Sequence, residues 1–118
     1  MSNNLQELRR ISMLTPKELS VLLNITVHTY IAMEQEKFSF SAEIIVMLAK
    51  IYGIPTHYLF EDISINRKEI ESALQKFSKC EENERFSLAL TNLIGENDGT
   101  YIHKKIRKMK SEILREIQ

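Results

Sequence analysis

The chain has 118 residues, 43% of them hydrophobic, and its 16 basic and 16 acidic side chains leave no formal net charge. This length predicts one domain, or a small domain with an appendage, and the charge balance is not that of a strongly basic nucleic-acid-binding protein. No apolar run reaches the roughly 18 residues that a membrane-spanning helix requires, and the first ten residues lack the apolar core of a signal peptide.

The first predicted elements are one short helix and, after it, a pair of helices joined by a tight turn. Asn3 or Asn4 is suited to begin the first helix, and Leu14 is expected to enter the core after it ends. Leu5 and Leu8 form its inner stripe, since their spacing is helical.

The segment that follows contains the clearest local signals. Thr15, Pro16 and Glu18 match a capping box with proline at the first helical position. Asn24 suits the left-handed position that ends this helix, and Thr26 is suited to begin the next one. Two short helices around a turn of three or four residues predict a helix-turn-helix.

Two further helices complete the N-terminal part. Ser41 is expected to begin a helix that Gly53 ends, and Thr56 to begin a last short helix. The sequence contains no alternating stretch long enough for a strand and no hairpin dipeptide, so the predicted fold class is all-α. Residues 1–62 are therefore interpreted as a five-helix domain.

Residues 63–118 predict three more helices. Asn66 is suited to begin the first, a break lies near residues 78–82, and Gly95 ends the second. Thr100 is suited to begin the third. Its apolar residues recur at steps of four and three, as in a coiled coil: Ile102, Ile106, Met109, Ile113 and Ile117. Because so short a segment cannot bury these faces alone, it must pack on the first domain or on another copy. We interpret it as a helical oligomerisation segment that forms a homodimer.

Residues 4–61 resemble the helix-turn-helix family of lambda-type phage repressors and xenobiotic-response-element (XRE) regulators. The resemblance lies in three stretches: NLQELRR, LTPKELSVLLNITVHTYIAME and SAEIIVMLAKIYGIPTHYLFE. It implies a lambda-repressor-like domain in a dimeric repressor that binds operator DNA. It also implies a structural ion pair between Arg9 and Glu34, which ties the first helix to the end of the recognition helix. The alternative is that Arg9 reaches a phosphate.

Four residues depart from the family pattern, and one of them, Ser20, replaces a small alanine. Pro16 replaces the glutamine that often holds a phosphate, and Asn24 replaces the glycine of the turn. Glu36 replaces the glycine after the recognition helix, and its carboxylate is expected to face the phosphates and repel them.

In a helix-turn-helix the second helix lies in the major groove, with its N-terminal residues facing base edges. Tyr30 and Met33 are expected to face the core, which leaves an unusually apolar outward face with no arginine for guanine and only Gln35 for adenine. The candidate DNA-binding residues are Thr15, Lys17, Thr26, Val27, His28, Thr29, Ala32, Lys37 and Ser39. An alternative is a protein-binding adaptor or inhibitor that reuses the fold, since an exposed apolar stripe suits a protein interface.

Catalysis finds little support in the sequence. His28, His57 and His103 do not stand in a metal-ligand spacing with Cys80, and no glycine-rich phosphate loop occurs. We expect no enzyme, no cofactor and no metal. A single cysteine also excludes an intrachain disulfide and favours the cytoplasm.

The positive charge is concentrated at the C-terminal end. Residues 100–118 hold six basic and two acidic side chains, for a net charge of +4. This run is interpreted as a solvated helix face paired with the acidic middle of the chain, or as an additional contact to the DNA backbone. Because no separate ligand-sensing domain is expected, regulation would come from assembly or from a protein antagonist.

Overall fold

The computed structural model describes residues 3–95, which contain helices and loops and no strand, so the all-α class is confirmed for that part of the chain. Six α-helices follow one another, with a 3₁₀ turn at Thr56–Leu59 between the fourth and the fifth. They are α1 (Leu5–Ser12), α2 (Pro16–Leu23), α3 (Val27–Glu34), α4 (Ala42–Tyr52), α5 (Arg67–Ser78) and α6 (Glu82–Ile94). The helix predicted after Thr100, with its five seam residues, lies outside the described residues.

The ends of the central helices follow the local sequence signals. The Thr15 hydroxyl accepts from the Glu18 amide at 3.1 Å, and the Glu18 carboxylate accepts from the Thr15 amide at 2.9 Å, so the capping box is complete. Asn24 and Gly53 end α2 and α4 in the left-handed conformation, with φ values of 57° and 69°. Thr26 caps α3 by accepting from the Thr29 amide. Each signal acts within three or four residues, and each is confirmed.

Two predicted side-chain caps and one predicted helix start are corrected, whereas the Asn3 side chain does accept from the Leu5 amide, at 3.2 Å, at the start of α1. Asn4 and Asn66 stand before α1 and α5, but neither side chain caps its helix. The Asn4 amide group instead donates to the carbonyl of Tyr58 at 2.7 Å, and that of Asn66 donates to the Glu61 carboxylate at 2.7 Å. The last short helix is a 3₁₀ turn that follows Pro55, so Thr56 lies inside it.

The six helices share one hydrophobic core. α5 packs on α1, and α6 packs on α4. The fully buried residues of α5 are Ile70, Leu74 and Phe77, and those of α6 include Ala89 and Leu90. They join the same cluster as the leucines of α1 and α2. The sequence predicts that these helices pack on the first domain or on another copy of the chain. α5 and α6 pack on the first domain. A functional division of the chain at residue 62 stays a prediction.

Two tyrosine hydroxyls lie inside this core. Tyr30 of α3 and Tyr52 of α4 are both fully buried, and neither hydroxyl has a hydrogen-bond partner among the described residues. Burial raises the pKa of both phenols well above the ordinary value, and the nearby negative charge of Glu34 raises the pKa further. Both residues are therefore neutral in the folded protein at every ordinary pH.

These tyrosines predict a loss of stability at alkaline pH. Their contribution is fully present below about pH 10, where a tyrosine in the unfolded chain is also neutral. Above that pH only the unfolded chain ionises, so each phenol is expected to lower the free energy of unfolding by about 1.4 kcal/mol per pH unit. Urea unfolding from pH 8 to pH 11.5 measures this decline.

Phenylalanine variants isolate the effect. Tyr30→Phe and Tyr52→Phe should each make the alkaline decline shallower and cost little at pH 7, because each removes a buried hydroxyl that has no partner in the described part of the chain. Tyr58→Phe is the matched control, since that ring is only half-buried. A decline that is equally steep in all three variants would contradict the assignment to the core tyrosines.

Candidate nucleic-acid interface

The corner between α2 and α3 has three residues, Asn24, Ile25 and Thr26. The amide of Ile25 donates to the carbonyl of Ser20 at 3.0 Å, which closes the end of α2 as the chain turns. Ser20 itself is 2% exposed, and its hydroxyl donates to the Lys17 carbonyl at 2.7 Å. A small and internally bonded side chain at this position lets α2 and α3 pack closely.

The side chains of α3 divide into an inner and an outer set. Tyr30 and Met33 are fully buried. His28, Ile31 and Gln35 are exposed at spacings of three and four, which places them on one face of the helix. The predicted inner residues are confirmed, whereas Val27 and Ala32, which are also predicted to face outward, are half-buried. We call this outer set, with the half-buried residues Val27 and Ala32 beside it, the α3 face.

The hydroxyl groups of the two threonines at the start of α3 are largely engaged in hydrogen bonds within the helix. The hydroxyls of Thr26 and Thr29 lie 2.9 Å apart and share a hydrogen bond, and Thr26 also accepts from the Thr29 amide. Only one hydroxyl hydrogen of the pair remains for an external acceptor. The first amides of α3, those of Val27 and His28, stand at the positive end of the helix, where an anion is favoured.

The N-terminal end of α2 offers less to a phosphate. Pro16 has no amide hydrogen, and the amides of Thr15 and Glu18 are both occupied by the capping box. The Glu18 carboxylate also places a negative charge at this end of the helix. Among the candidates on α2, the exposed Lys17 side chain is therefore the main group available to a phosphate.

The loop after α3 begins at a backbone position that usually holds glycine. Glu36 has a φ of 62°, and the Lys37 amide donates to the Ala32 carbonyl at 2.8 Å, which closes the helix. The Glu36 carboxylate accepts from the Asn3 amide at 2.9 Å, and the Asn3 side chain donates to the Met33 carbonyl at 2.9 Å. The carboxylate is thus held by the start of the chain, although it remains at the surface beside Lys37.

Lys37 and Ser39 are brought together with a residue that the sequence analysis missed. Both line one groove with Asn3, Glu36 and Phe38. Phe38 is 51% exposed. A phenylalanine in a polar loop gave no sequence signal, because exposure of an aromatic ring depends on how the loop is held.

The predicted pair of Arg9 and Glu34 is present. Arg9 Nε lies 2.6 Å from Glu34 Oε1, and Nη2 lies 3.4 Å from Oε2. The side chains are 18% and 9% exposed. The hydrogen bond to Glu34 raises the pKa of Arg9, and the guanidinium is directed at α3. The pair therefore joins α1 to the last turn of α3, and the alternative in which Arg9 reaches a phosphate loses support.

The charge around the α3 face is low. Residues 1–62 hold five lysines or arginines and seven aspartates or glutamates, for a net charge of −2. Arg9 is already paired with Glu34. A ligand of this surface is therefore not attracted by a strong positive field.

Comparison with protein-family models, with curated proteins and with solved structures finds no match for this chain. Within residues 3–95, no helix is both long and apolar enough to cross a membrane, and no three His, Cys, Asp or Glu side chains are grouped as metal ligands. The α3 face and its surroundings are thus the features from which a function can be inferred.

The ion pair of Arg9 predicts a measurable effect on stability. Arg9→Ala leaves the nearly buried Glu34 carboxylate without its partner. Breaking an exposed pair costs at most about 1 kcal/mol and breaking a buried one about 3–5, so we expect a loss of about 2 kcal/mol in urea unfolding. Arg67→Ala is the control, because its pairs with Glu71 and Glu7 are about half exposed and each should contribute less than about 0.5 kcal/mol. Equal unfolding midpoints for the two variants would refute a structural role for Arg9.

Proposed function

We propose that this protein is a sequence-specific DNA-binding transcriptional regulator with a lambda-repressor-like helix-turn-helix of the XRE type. The observation that carries the proposal is the α3 face, which follows a three-residue corner and leaves His28, Ile31 and Gln35 exposed. In such proteins the second helix enters the major groove with its N-terminal residues toward the base edges. His28 is exposed near that end of α3 and has nitrogen atoms that hydrogen-bond a base.

The backbone contacts in this proposal are few. Lys17 precedes α3 in the chain and Lys37 follows it, and both are exposed. The hydroxyls of Thr15 and Ser39 and the one free hydroxyl hydrogen of Thr26 and Thr29 add neutral donors. Phosphate contacts supply much of the affinity of DNA-binding proteins, so one copy of this set binds weakly. Two copies on two half-sites give the affinity that one lacks.

A homodimer therefore forms part of the proposal. The buried faces of α5 and α6 pack into the core that these helices share with α1 and α4, so they are not available to a second copy. Within the segment 63–118, dimerisation is thus assigned to the residues after Gly95, where the sequence places the apolar seam from Ile102 to Ile117. A dimeric repressor with palindromic half-sites, controlled by assembly or by a protein antagonist, fits this arrangement.

Assembly is tested by shortening the chain after Gly95, which keeps the shared core. The full chain should sediment as a dimer at micromolar concentration, and residues 1–95 should sediment as a folded monomer. Circular dichroism and urea unfolding establish that the shorter chain keeps its helices. A monomeric full chain, or a dimer of residues 1–95, would refute the placement of the interface.

A protein-binding adaptor is the second candidate. Ile31 and Phe38 are 38% and 51% exposed, and residues 1–62 carry a net charge of −2. Exposed apolar side chains without a positive field are typical of a protein interface rather than of a DNA-binding surface. This alternative keeps the same fold and the same face and changes the partner.

Two substitutions separate DNA binding from the adaptor. His28→Ala should weaken binding to the preferred duplex by about 1–3 kcal/mol and barely change binding to random DNA, because it removes a base contact. Lys37→Ala should weaken all duplexes alike and lower the salt dependence of log Kd by about one, because it removes a phosphate contact. Fluorescence anisotropy over a salt series measures both.

His57→Ala and Lys68→Ala are the matched controls, since both side chains are exposed and lie on the 3₁₀ turn and on α5. If His28→Ala and Lys37→Ala both leave duplex binding unchanged, α3 does not enter the groove. The adaptor interpretation then predicts that Ile31→Glu abolishes capture of a protein partner, because it would place a charge in an apolar contact.

A further inference from the structure

We infer that the α3 face reads A·T base pairs, chiefly through the C5-methyl group of thymine, and that Ile31 is the residue at the centre of this readout. The inference rests on the proposed function and deepens it by naming the class of duplex that the face selects. It follows from which side chains of α3 are free and from which base edges they match.

The α3 face carries no free ionic group. The only acidic residue of α3 is Glu34, which is 9% exposed and bonded to Arg9, and the helix contains no lysine or arginine. Guanine is most often read by a cation that donates to O6 and N7, and cytosine by a carboxylate that accepts from N4. The face therefore lacks both charged groups that favour a G·C pair.

The free groups of the face are apolar at its centre. Ile31 is 38% exposed, and Val27 lies one turn before it on the same side of the helix. Ala32 is half-buried next to Ile31. In the major groove the C5-methyl group of thymine is the one apolar group that a base presents, so these side chains match thymine and no other base.

Gln35 extends the same preference. It lies one turn after Ile31, and its side-chain amide forms no hydrogen bond to another described residue. A glutamine amide donates to N7 and accepts from N6 of adenine in the major groove. His28 stands near the other end of the face, and its ring can bond N7 of either purine. It therefore adds a contact without changing the preference for A·T pairs.

Deoxyuridine provides the decisive probe, because it pairs like thymidine and lacks only the C5-methyl group. The full chain is first used to select duplexes from a random pool, and the bound sites should be rich in A·T pairs. Deoxyuridine is then placed at one thymidine position at a time. At each contacted position the affinity should fall about fourfold, the equivalent of one buried methyl group.

Ile31→Ala assigns the effect to its side chain. At the position that Ile31 contacts, this variant should bind the thymidine and deoxyuridine duplexes equally, with a ratio close to one. Ile65→Ala is the matched control, because Ile65 is 75% exposed and lies outside the helices. Ile65→Ala should still bind the thymidine duplex about fourfold more tightly than the deoxyuridine duplex. Circular dichroism verifies that both variants are folded.

The outcomes separate this inference from the proposed function. Two results would overturn thymine readout without contradicting DNA binding. One is the selection of G·C-rich sites, and the other is that the unmodified protein binds the thymidine and deoxyuridine duplexes equally at every position. If Ile31→Ala still binds the thymidine duplex more tightly than the deoxyuridine duplex at every contacted position, the thymine contact does not come from Ile31. No binding to any duplex at low salt would overturn the proposed function and this inference with it.

Discussion

The direction of α3 depends on how its two ends are held. A helix of eight residues is not stable alone, and α3 buries only Tyr30 and Met33 completely. The N-terminal end is fixed by the Thr26 cap, and the last turn is fixed by Glu34 through its pair with Arg9 of α1. Two buried tyrosine hydroxyls in the same region have no hydrogen-bond partner within residues 3–95, so the described core is not optimised for stability there. The ion pair joins this end of α3 to α1 and so restricts the orientation of the helix.

The predictions that succeeded concern groups that are close in the sequence. The capping box at Thr15 and the left-handed residues Asn24 and Gly53 are determined by neighbours within a few positions. The pair of Arg9 and Glu34 spans 25 residues and was expected only because of a family resemblance. The bonds that the side-chain amides of Asn3 and Asn4 donate to the carbonyls of Met33 and Tyr58 span 30 and 54 residues and had no local signal. An asparagine in front of a helix looks like a cap until a better partner folds against it.

The lack of a local signal for long-range contacts also explains why the sequence did not say which surface covers α5 and α6. An amphipathic helix shows that one face must be covered, but its pattern does not say by what. The inward faces of α1 and α4 are mostly apolar, and so is the face that a second copy of α5 would offer. Likewise, the exposed atoms of Ile31 suit a thymine methyl group and a protein pocket equally well. In both cases the sequence specifies the chemistry of the surface and leaves its partner to be found by experiment.

The pairing of the helices has a consequence for synthesis of the chain. α1 is made first, yet its partner α5 begins at Arg67, and α4 is covered only when α6 is complete at Ile94. A ribosome therefore releases α1 and α4 well before the helices that cover them, and the core closes late. During that interval Leu5 and Leu8 stay open to chaperones and proteases. A premature stop shortly after residue 62 should thus give a product that is degraded, rather than a stable small domain.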